Sequence, residues 1–288
     1  MFFSRKIINP IQDHLSRIPP VLYKYRHFDQ NNYGLQYALH GTVYFPSATE
    51  LNDPFEAHFV PKSKTLRLKE KPLREFLRQK AVEHYPEANS SRIQDLVRAG
   101  LLQRELLINR DPRGFKPILD AQNNMFGILS LSAKPDSIPM WAYYADRHRG
   151  FCVGISARSI AKHQLSLVET RETLALHKVL YRRRMLRLDV DINSPGPTKK
   201  QLETIESTVY RKSLAWKHEE EYRLLLFKHP SSSYTFGSES VAEVVFGIHV
   251  DVSLKRDLIE RIRSESPHIR LRQAIQSQYR YRINIIDL

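Results

Sequence analysis

Cysteine and glycine are scarce in this chain. Cys152 is the only cysteine among 288 residues, which excludes an internal disulfide and a cysteine-based zinc site. The 10 glycines and 16 prolines are too few for a low-complexity or collagen-like chain. A lone cysteine suits the reducing environment of the cytoplasm, where we expect the protein to be located.

Long hydrophobic runs are also missing. No stretch of about 18 consecutive apolar residues occurs, so neither a membrane-spanning helix nor a membrane partner is predicted. Residues 1–15, MFFSRKIINPIQDHL, lack the apolar core of roughly 7–15 residues that a secretory signal has. Hydrophobic residues nevertheless make up 41% of the chain, which is enough to bury a full core.

The common motifs of nucleotide, metal and hydrolase sites are absent. The sequence has no GxxxxGK[ST] loop and no GxGxxG segment after a strand. It also has no HExxH, EF-hand or GxSxG pattern. Cys152 lies within the apolar run FCVGI, which predicts a small buried side chain rather than a nucleophile.

Basic residues are in clear excess. Lys and Arg number 45 against 31 Asp and Glu, giving a net charge of +14. Such an excess favours polyanionic partners, namely nucleic acid, nucleotides or anionic lipid, without choosing among them. Residues 62–118 alone hold 14 Lys and Arg against 7 Asp and Glu. Long cationic side chains covering the apolar surface of two helices also explain that segment.

The hydrophobic periodicity predicts an α+β protein of about nine strands with little βαβ alternation. We predict a single domain over residues 1–288, with a basic helical insert at about 62–118. We predict further helices at about 29–40, 137–146, 199–214 and 253–264, the last capped by Ser253. Strands are predicted at 21–26, 42–46, 127–132, 151–156, 178–182, 221–227 and 242–248, followed by a strand pair formed by IRLRQAI and YRYRINI.

Four segments occur in a characteristic order. They are LYKYRHF at 22–28, VYFPSATELNDPFE at 43–56, ILSLSAKPDSIPMWAYYADRHRGFCVGI at 128–155 and WKHEEEYRLLL at 216–226. Together they resemble the bacterial family known as domain of unknown function 2971. The family name itself implies no activity.

The order of elements also resembles the ADP-ribosyltransferase superfamily. That resemblance implies a pair of small packed sheets, here with a helical insert, and a cleft between the sheets for NAD. It implies ADP-ribose transfer to nucleic acid or protein, or NAD hydrolysis, and a role as a toxin or antiviral effector. The superfamily's three marks would fall on a first strand, a middle strand with the helix after it, and a late strand. The matching residues are Lys24 and Arg26, then Ser130, Ser132, Trp141 and Tyr144, then Glu219 and Glu221.

The resemblance implies a role for each group. Glu221 would stabilise the oxocarbenium-like centre formed when the nicotinamide–ribose bond breaks, and Glu219 would steer or deprotonate the acceptor. Arg26 would bind the pyrophosphate through its planar fork of donors. Trp141 or Tyr144 would stack on the nicotinamide ring. NAD would be a substrate, and no metal is required.

Each assignment has a plainer alternative. Residues 219–221 could be a solvated acidic run, Ser130 and Ser132 the polar face of a strand, and Trp141 a core aromatic. At the level of function, the alternative is a non-catalytic, basic nucleic-acid-binding protein, and the basic stretch KVLYRRRMLR at 178–187 would suit phosphate contacts. A metal-dependent nuclease using Asp53 with Glu219 or Glu221 is a third option.

Overall fold

The computed structural model describes residues 17–29, 33–62, 67–109, 114, 120, 124–170, 174–189 and 206–288. These residues form a mixed α+β structure, as predicted. The helices are α1 Tyr33–His40, α2 Glu70–His84, α3 Ser90–Ile108, α4 Ile138–Tyr144, α5 Ala157–Thr170 and α6 Val252–Glu265. Short 3₁₀ helices lie at Ala48–Glu50, Leu214–Glu219 and Ser238–Ser240. None of the described helices is both long and apolar enough to span a bilayer.

The described residues contain fourteen strands, more than the nine predicted. They are β1 Val21–Arg26, β2 Thr42–Phe45, β3 Phe59–Lys62, β4 Phe126–Ser132, β5 Phe151–Ser156, β6 Leu174–Lys178, β7 Leu180–Arg182, β8 Leu186–Asp189, β9 Arg211–Ser213, β10 Glu221–Phe227, β11 Ser232–Thr235, β12 Val241–Phe246, β13 Arg270–Gln276 and β14 Ile283–Asp287. Of these, β8, β9 and β11 lie outside every predicted strand.

Eight strands form the main sheet, in the order β14-β13-β12-β5-β1-β4-β10-β6. Neighbours are antiparallel except β12 and β13, which run parallel and are connected through α6. A parallel pair needs such a crossover because the chain must return to the same end of the sheet. β2 and β11 form a separate antiparallel pair.

The two faces of this sheet differ in character. Side chains alternate along each strand, and partners across an antiparallel ladder lie on the same face. Leu22, Leu131 and Tyr222 therefore share the apolar face, where they pack into the largest hydrophobic cluster with residues of α1, α5 and α6. Tyr23 and Ser132 lie on the other face, which we call the polar face.

Among the described strands of the main sheet, β1 and β4 have the fewest register pairs. β1 and β5 are paired at six positions, and β4 and β10 at seven, because these strands are long and apolar. Between β1 and β4, Tyr23–Ser132 is the only register pair among the described residues. The ammonium of Lys24 crosses this boundary and donates to the carbonyl of Ser130 at 3.0 Å. We call this boundary the junction; it separates a five-stranded part from a three-stranded part.

The chain divides into two compact units. The first comprises Met1–Glu50, Met125–Tyr181 and Leu214–Leu288, and the second Leu51–Asn124 and Arg182–Ser213. The first contains the eight-stranded sheet, and the second contains α2, α3 and the parallel pair of β3 with β8. The predicted insert at 62–118 falls inside the second unit, and the single domain over 1–288 stays a prediction.

The two helices predicted in the insert are confirmed as α2 and α3. Leu73, Leu77 and Ala81 are buried on α2, and Ile93 is buried on α3, which is the periodicity that predicted them. Gly100 allows the helices to approach closely, since a Cβ there would lie 2.8 Å from a methyl carbon of Leu77. Residues 63–66, 110–113 and 115–118 of the insert lie outside the described residues.

Two local predictions are wrong at the ends of helices. The helix over 199–214 does not reach its predicted end, because Arg211–Ser213 is a strand; residues 199–205 lie outside the described residues. Lys212 pairs with Glu56 at 3.1 Å, with both side chains buried, so a tertiary ion pair overrides the local helical pattern. The cap of α6 is Asp251, whose carboxylate accepts from the N–H groups of Ser253 and Leu254.

The YRYR segment is also not a strand. β14 begins at Ile283, and residues 277–282 form the connection between β13 and β14. Their alternation of Tyr and Arg imitates a half-buried strand, but these side chains have no packed surface to face and are exposed. The paired strands on either side are confirmed.

Candidate active site at the sheet junction

The register brings the predicted serine and acid together. Ser132 is paired with Glu221, and Ser130 with Arg223. All four side chains consequently lie on the polar face, which also carries Tyr23. Ser132, Glu221 and Arg223 are buried. A hydroxyl and a carboxylate from two neighbouring strands therefore meet at the junction.

Glu221 forms a buried ion pair with Arg223. Arg223 Nε donates to Glu221 Oε1 at 2.8 Å, and Nη2 donates to Oε2 at 3.2 Å. The Glu221 and Arg223 side chains are only 3% and 1% exposed. Two parallel donors held against two oxygens form the strongest geometry for a carboxylate–guanidinium contact. The charge of Glu221 is thereby balanced within its own strand.

Glu219 lies at the end of the 3₁₀ helix that precedes β10, and it is 3% exposed. The hydroxyl of Tyr144 donates to Glu219 Oε1 at 2.7 Å. The hydroxyl of Ser132 donates to the Glu219 carbonyl at 2.7 Å. The segment is thus fixed from two sides, by α4 through Tyr144 and by β4 through Ser132.

Glu220, between the two buried acids, is turned to the surface. Its φ of 44° lies in the left-handed region, which non-glycine residues seldom adopt. Its carboxylate pairs with Lys134 Nζ at 2.6 Å, and the two side chains are 40% and 53% exposed. This conformation lets the chain bury the carboxylates on both sides of Glu220.

The aromatic residues of α4 divide between two roles. Trp141 is fully buried; its Nε1–H donates to the Pro135 carbonyl at 2.7 Å, and its ring meets Tyr25 edge-to-face at 5.2 Å. Trp141 is therefore a core residue, as the plainer alternative had it. Tyr144 is half-buried and contacts Glu219. Of the two, only Tyr144 joins the acidic site.

The structure does not bring Lys24 and Arg26 together with the acids. Lys24 is paired with Val153 and Arg26 with Phe151, so both side chains leave β1 on the apolar face. Lys24 reaches the junction only through its ammonium. The structure does not place Arg26 beside Glu221, because the two residues leave the sheet on opposite faces, and the cofactor-binding role of Arg26 stays a prediction.

Arg26 lies instead near α1. Its Cβ would be 3.4 Å from a Cβ placed at Gly34, the second residue of that helix. Burial lowers the pKa of Arg26, although the nearby Tyr37 and Asp29 oppose this effect. Its Nε has no hydrogen-bond partner among the residues that the structure describes.

A second polar group lies on the same face, across β5. The hydroxyl of Tyr23 donates to Glu243 Oε1 at 2.8 Å, and Arg272 Nη1 lies 3.5 Å from Glu243 Oε2. Burial, followed by the hydrogen bond to Glu243, raises the pKa of Tyr23. Burial likewise raises the pKa of Cys152, which stays a neutral thiol as its apolar surroundings predicted.

Asp53, the further acid of the nuclease alternative, belongs to the second unit. It is buried, and its carboxylate accepts from the Phe55 N–H at 2.9 Å in a turn. In the part of the chain that the structure describes, no three His, Cys, Asp or Glu side chains are grouped to hold a metal ion.

Sequence reasoning missed Arg223, the partner of Glu221. The signal was present, because an arginine two residues after a glutamate in EYRLLLF must share its face. It also missed Tyr181, whose hydroxyl accepts from the Glu221 N–H at 2.8 Å. That contact joins segments 40 residues apart and leaves no local pattern.

Comparison with known proteins identified one family. Residues 140–224 match the model of the family described as "Protein of unknown function (DUF2971)". The matched segment runs from α4 through Glu219, Glu221 and Arg223, and it confirms the predicted resemblance to that family. No curated protein and no solved structure matched the chain.

Proposed function

We propose that this chain, whose residues 140–224 match the DUF2971 family model, breaks the nicotinamide–ribose bond of NAD. The ADP-ribose is transferred to an acceptor hydroxyl or to water, and the fold is of the ADP-ribosyltransferase type. A host role as a toxin or antiviral effector stays a prediction.

One observation carries the proposal. Two buried carboxylates, Glu219 and Glu221, gather with Tyr144 and Ser132 where the sheet is joined by a single register pair. The eight strands form one continuous sheet, in which β1 and β4 share a single register pair. Carboxylates close to this junction are suited to the positive charge that develops at the ribose carbon.

We place Glu219 rather than Glu221 at the developing positive charge. The negative charge of Glu221 is balanced by Arg223 at 2.8 Å. The Tyr144 hydroxyl donates to Glu219 Oε1 at 2.7 Å and orients that carboxylate. We therefore exchange the two predicted roles: Glu219 faces the reacting carbon, and Glu221 with Arg223 positions the strand.

The step balances as a displacement at the ribose C1′. The bond from C1′ to the nicotinamide nitrogen breaks, and nicotinamide leaves with the electron pair. An acceptor oxygen bonds to C1′ while Glu219 stabilises the oxocarbenium-like charge, and the acceptor proton then passes to Glu219. Ser132 acts as a positioning residue, because its hydroxyl holds the Glu219 carbonyl.

Because Arg26 and Glu221 leave the sheet on opposite faces, we assign the pyrophosphate to a different cation. Lys134 is the second residue after β4, and its ammonium is half-exposed beside Glu220. The backbone N–H of Lys134 donates to Ser132 Oγ at 3.2 Å, which fixes this lysine near the junction. We assign the pyrophosphate contact to Lys134. Lys24 lies at the junction, where its ammonium donates to the Ser130 carbonyl.

The test uses NAD labelled on nicotinamide and, in parallel, on adenine. The chain is incubated with each NAD alone and with DNA, RNA or cell lysate as acceptor. We expect nicotinamide release from nicotinamide-labelled NAD. We also expect the label of adenine-labelled NAD to be transferred to whichever of DNA, RNA or cell lysate contains the acceptor. Absence of nicotinamide release under all these conditions would overturn the proposal.

A further inference from the structure

We infer that the turn between β13 and β14 binds single-stranded nucleic acid. We call residues 277–282, SQYRYR, the hairpin tip. The inference rests on the exposure, order and charge of the tip alone, and it does not depend on the proposed chemistry at Glu219.

The tip presents two tyrosines to solvent. Tyr279 is 91% exposed and Tyr281 is 104% exposed, the highest values among the large hydrophobic residues that the structure describes. By contrast, Tyr23, Tyr25, Tyr37 and Tyr222 are all buried in the same unit. Aromatic rings left fully in water gain nothing for the fold, so their placement at one turn points to an external contact.

The tip is an ordered part of the hairpin. The Ser277 N–H donates to the Arg282 carbonyl at 3.1 Å, and the Arg282 N–H donates to the Arg280 carbonyl at 2.8 Å. Below it, β13 and β14 are paired at five positions from Gln276–Ile283 to Arg272–Asp287. The rings therefore extend from a fixed support, which lowers the entropy lost when they bind a partner.

The charge around the rings has one sign. Residues 266–286 contain four arginines and no acidic residue. Arg280 and Arg282 are exposed at the tip, and among the described residues neither forms an ion pair, whereas Arg272 at the base pairs with Asp287 at 3.0 Å. The unneutralised guanidinium groups suit phosphate oxygens.

This combination favours single strands over duplexes and over acidic proteins. Exposed aromatic faces stack on unpaired bases, which a duplex keeps stacked on each other. Arginines alternating with the tyrosines can follow the phosphates between those bases. An acidic peptide would use the arginines but would leave both rings without a stacking partner.

The experiment measures binding to fluorescein-labelled (dT)₁₂, (U)₁₂ and a 12-base-pair duplex by anisotropy. We expect binding to at least one single strand that is tighter than binding to the duplex. The double variant Tyr279→Ala/Tyr281→Ala should weaken that binding at least about tenfold. Arg280→Gln/Arg282→Gln should reduce the slope of log Kd against log salt by about 1.4, since each phosphate contact contributes about 0.7.

The controls remove the same groups elsewhere on the first unit. Tyr33 is 59% exposed on α1, and Arg256 and Arg261 are exposed on α6, so Tyr33→Ala and Arg256→Gln/Arg261→Gln should leave binding unchanged. An unchanged thermal midpoint shows that each variant is folded. Equal loss in tip and control variants, preference for the duplex, or no binding to either single strand would overturn the inference.

Discussion

Replacing Glu219 with glutamine is expected to lower nicotinamide release by about 100-fold or more. The amide keeps the size of the side chain. Its oxygen can still accept a hydrogen bond from the Tyr144 hydroxyl, which lies 2.7 Å from Glu219 Oε1 in the unmodified chain. The substitution removes the negative charge that would stabilise the positively charged, oxocarbenium-like centre. A preorganised electrostatic group of this kind contributes a factor of about 10²–10³ to the rate. The measurement is the initial rate of nicotinamide release from labelled NAD.

The matched control is Glu220→Gln. It makes the same chemical change one residue away, at a carboxylate that faces solvent and pairs with Lys134. We expect Glu220→Gln to keep most of the activity. Glu220→Gln should unfold at the same urea concentration as the unmodified chain to within the scatter expected of a surface change, and the circular dichroism spectrum of Glu219→Gln shows whether that variant is folded. Full activity in a folded Glu219→Gln variant would remove Glu219 from the mechanism.

Replacing Glu221 with glutamine is expected to lower the free energy of unfolding by about 3–5 kcal/mol. The substitution removes the carboxylate charge that the fully buried guanidinium of Arg223 contacts at 2.8 Å. Breaking one side of a buried pair costs this much because the remaining ion has lost its hydration as well as its partner. Urea denaturation followed by circular dichroism measures the change.

A double variant tests whether the stability lost in Glu221→Gln comes from leaving one buried charge without its partner. Glu221→Leu/Arg223→Met replaces both charges by apolar groups of similar length, and such replacements are often neutral or stabilising. We expect it to recover most of the stability that Glu221→Gln loses. The surface pair of Lys134 with Glu220 gives the reference, since Lys134→Gln should cost less than about 1 kcal/mol. A Glu221→Gln variant as stable as Lys134→Gln would contradict the assignment.

Much of the fold could be predicted from local pattern. The bounds of β1, β5 and β10 agree with the prediction, because each is a short segment rich in aromatic and aliphatic residues. α2 and α3 were predictable for a similar reason, as their buried residues recur at helical spacing. Local pattern failed where tertiary contacts decide, as at Lys212, whose ion pair with Glu56 accompanies a strand.

The composition of the site was only partly predictable. Period-two alternation showed that Lys24 shares a face with Arg26, and Ser130 with Ser132. It could not show which face of β1 matches which face of β4, because that depends on the register of strands about 100 residues apart. The pair Tyr23–Ser132 decides it and separates Arg26 from Glu221.

At the hairpin tip, local pattern predicted a strand that the structure does not form. Alternation of Tyr and Arg from Tyr279 to Arg282 predicts a strand with one buried face, yet the structure exposes all four residues. Periodicity records a pattern of side chains, and a functional surface can carry the same pattern as a packed one. In this segment the wrongly predicted strand coincides with the surface that we propose binds nucleic acid.

The most direct test of the account is a crystal structure of the Glu219→Gln variant with NAD. The account predicts NAD at the junction of β1 and β4, with the ribose C1′ within about 3.5 Å of the side chain at position 219. It also predicts that the pyrophosphate lies near Lys134. NAD bound on the apolar face beside Arg26, or bound anywhere remote from Glu219 and Ser132, would contradict it.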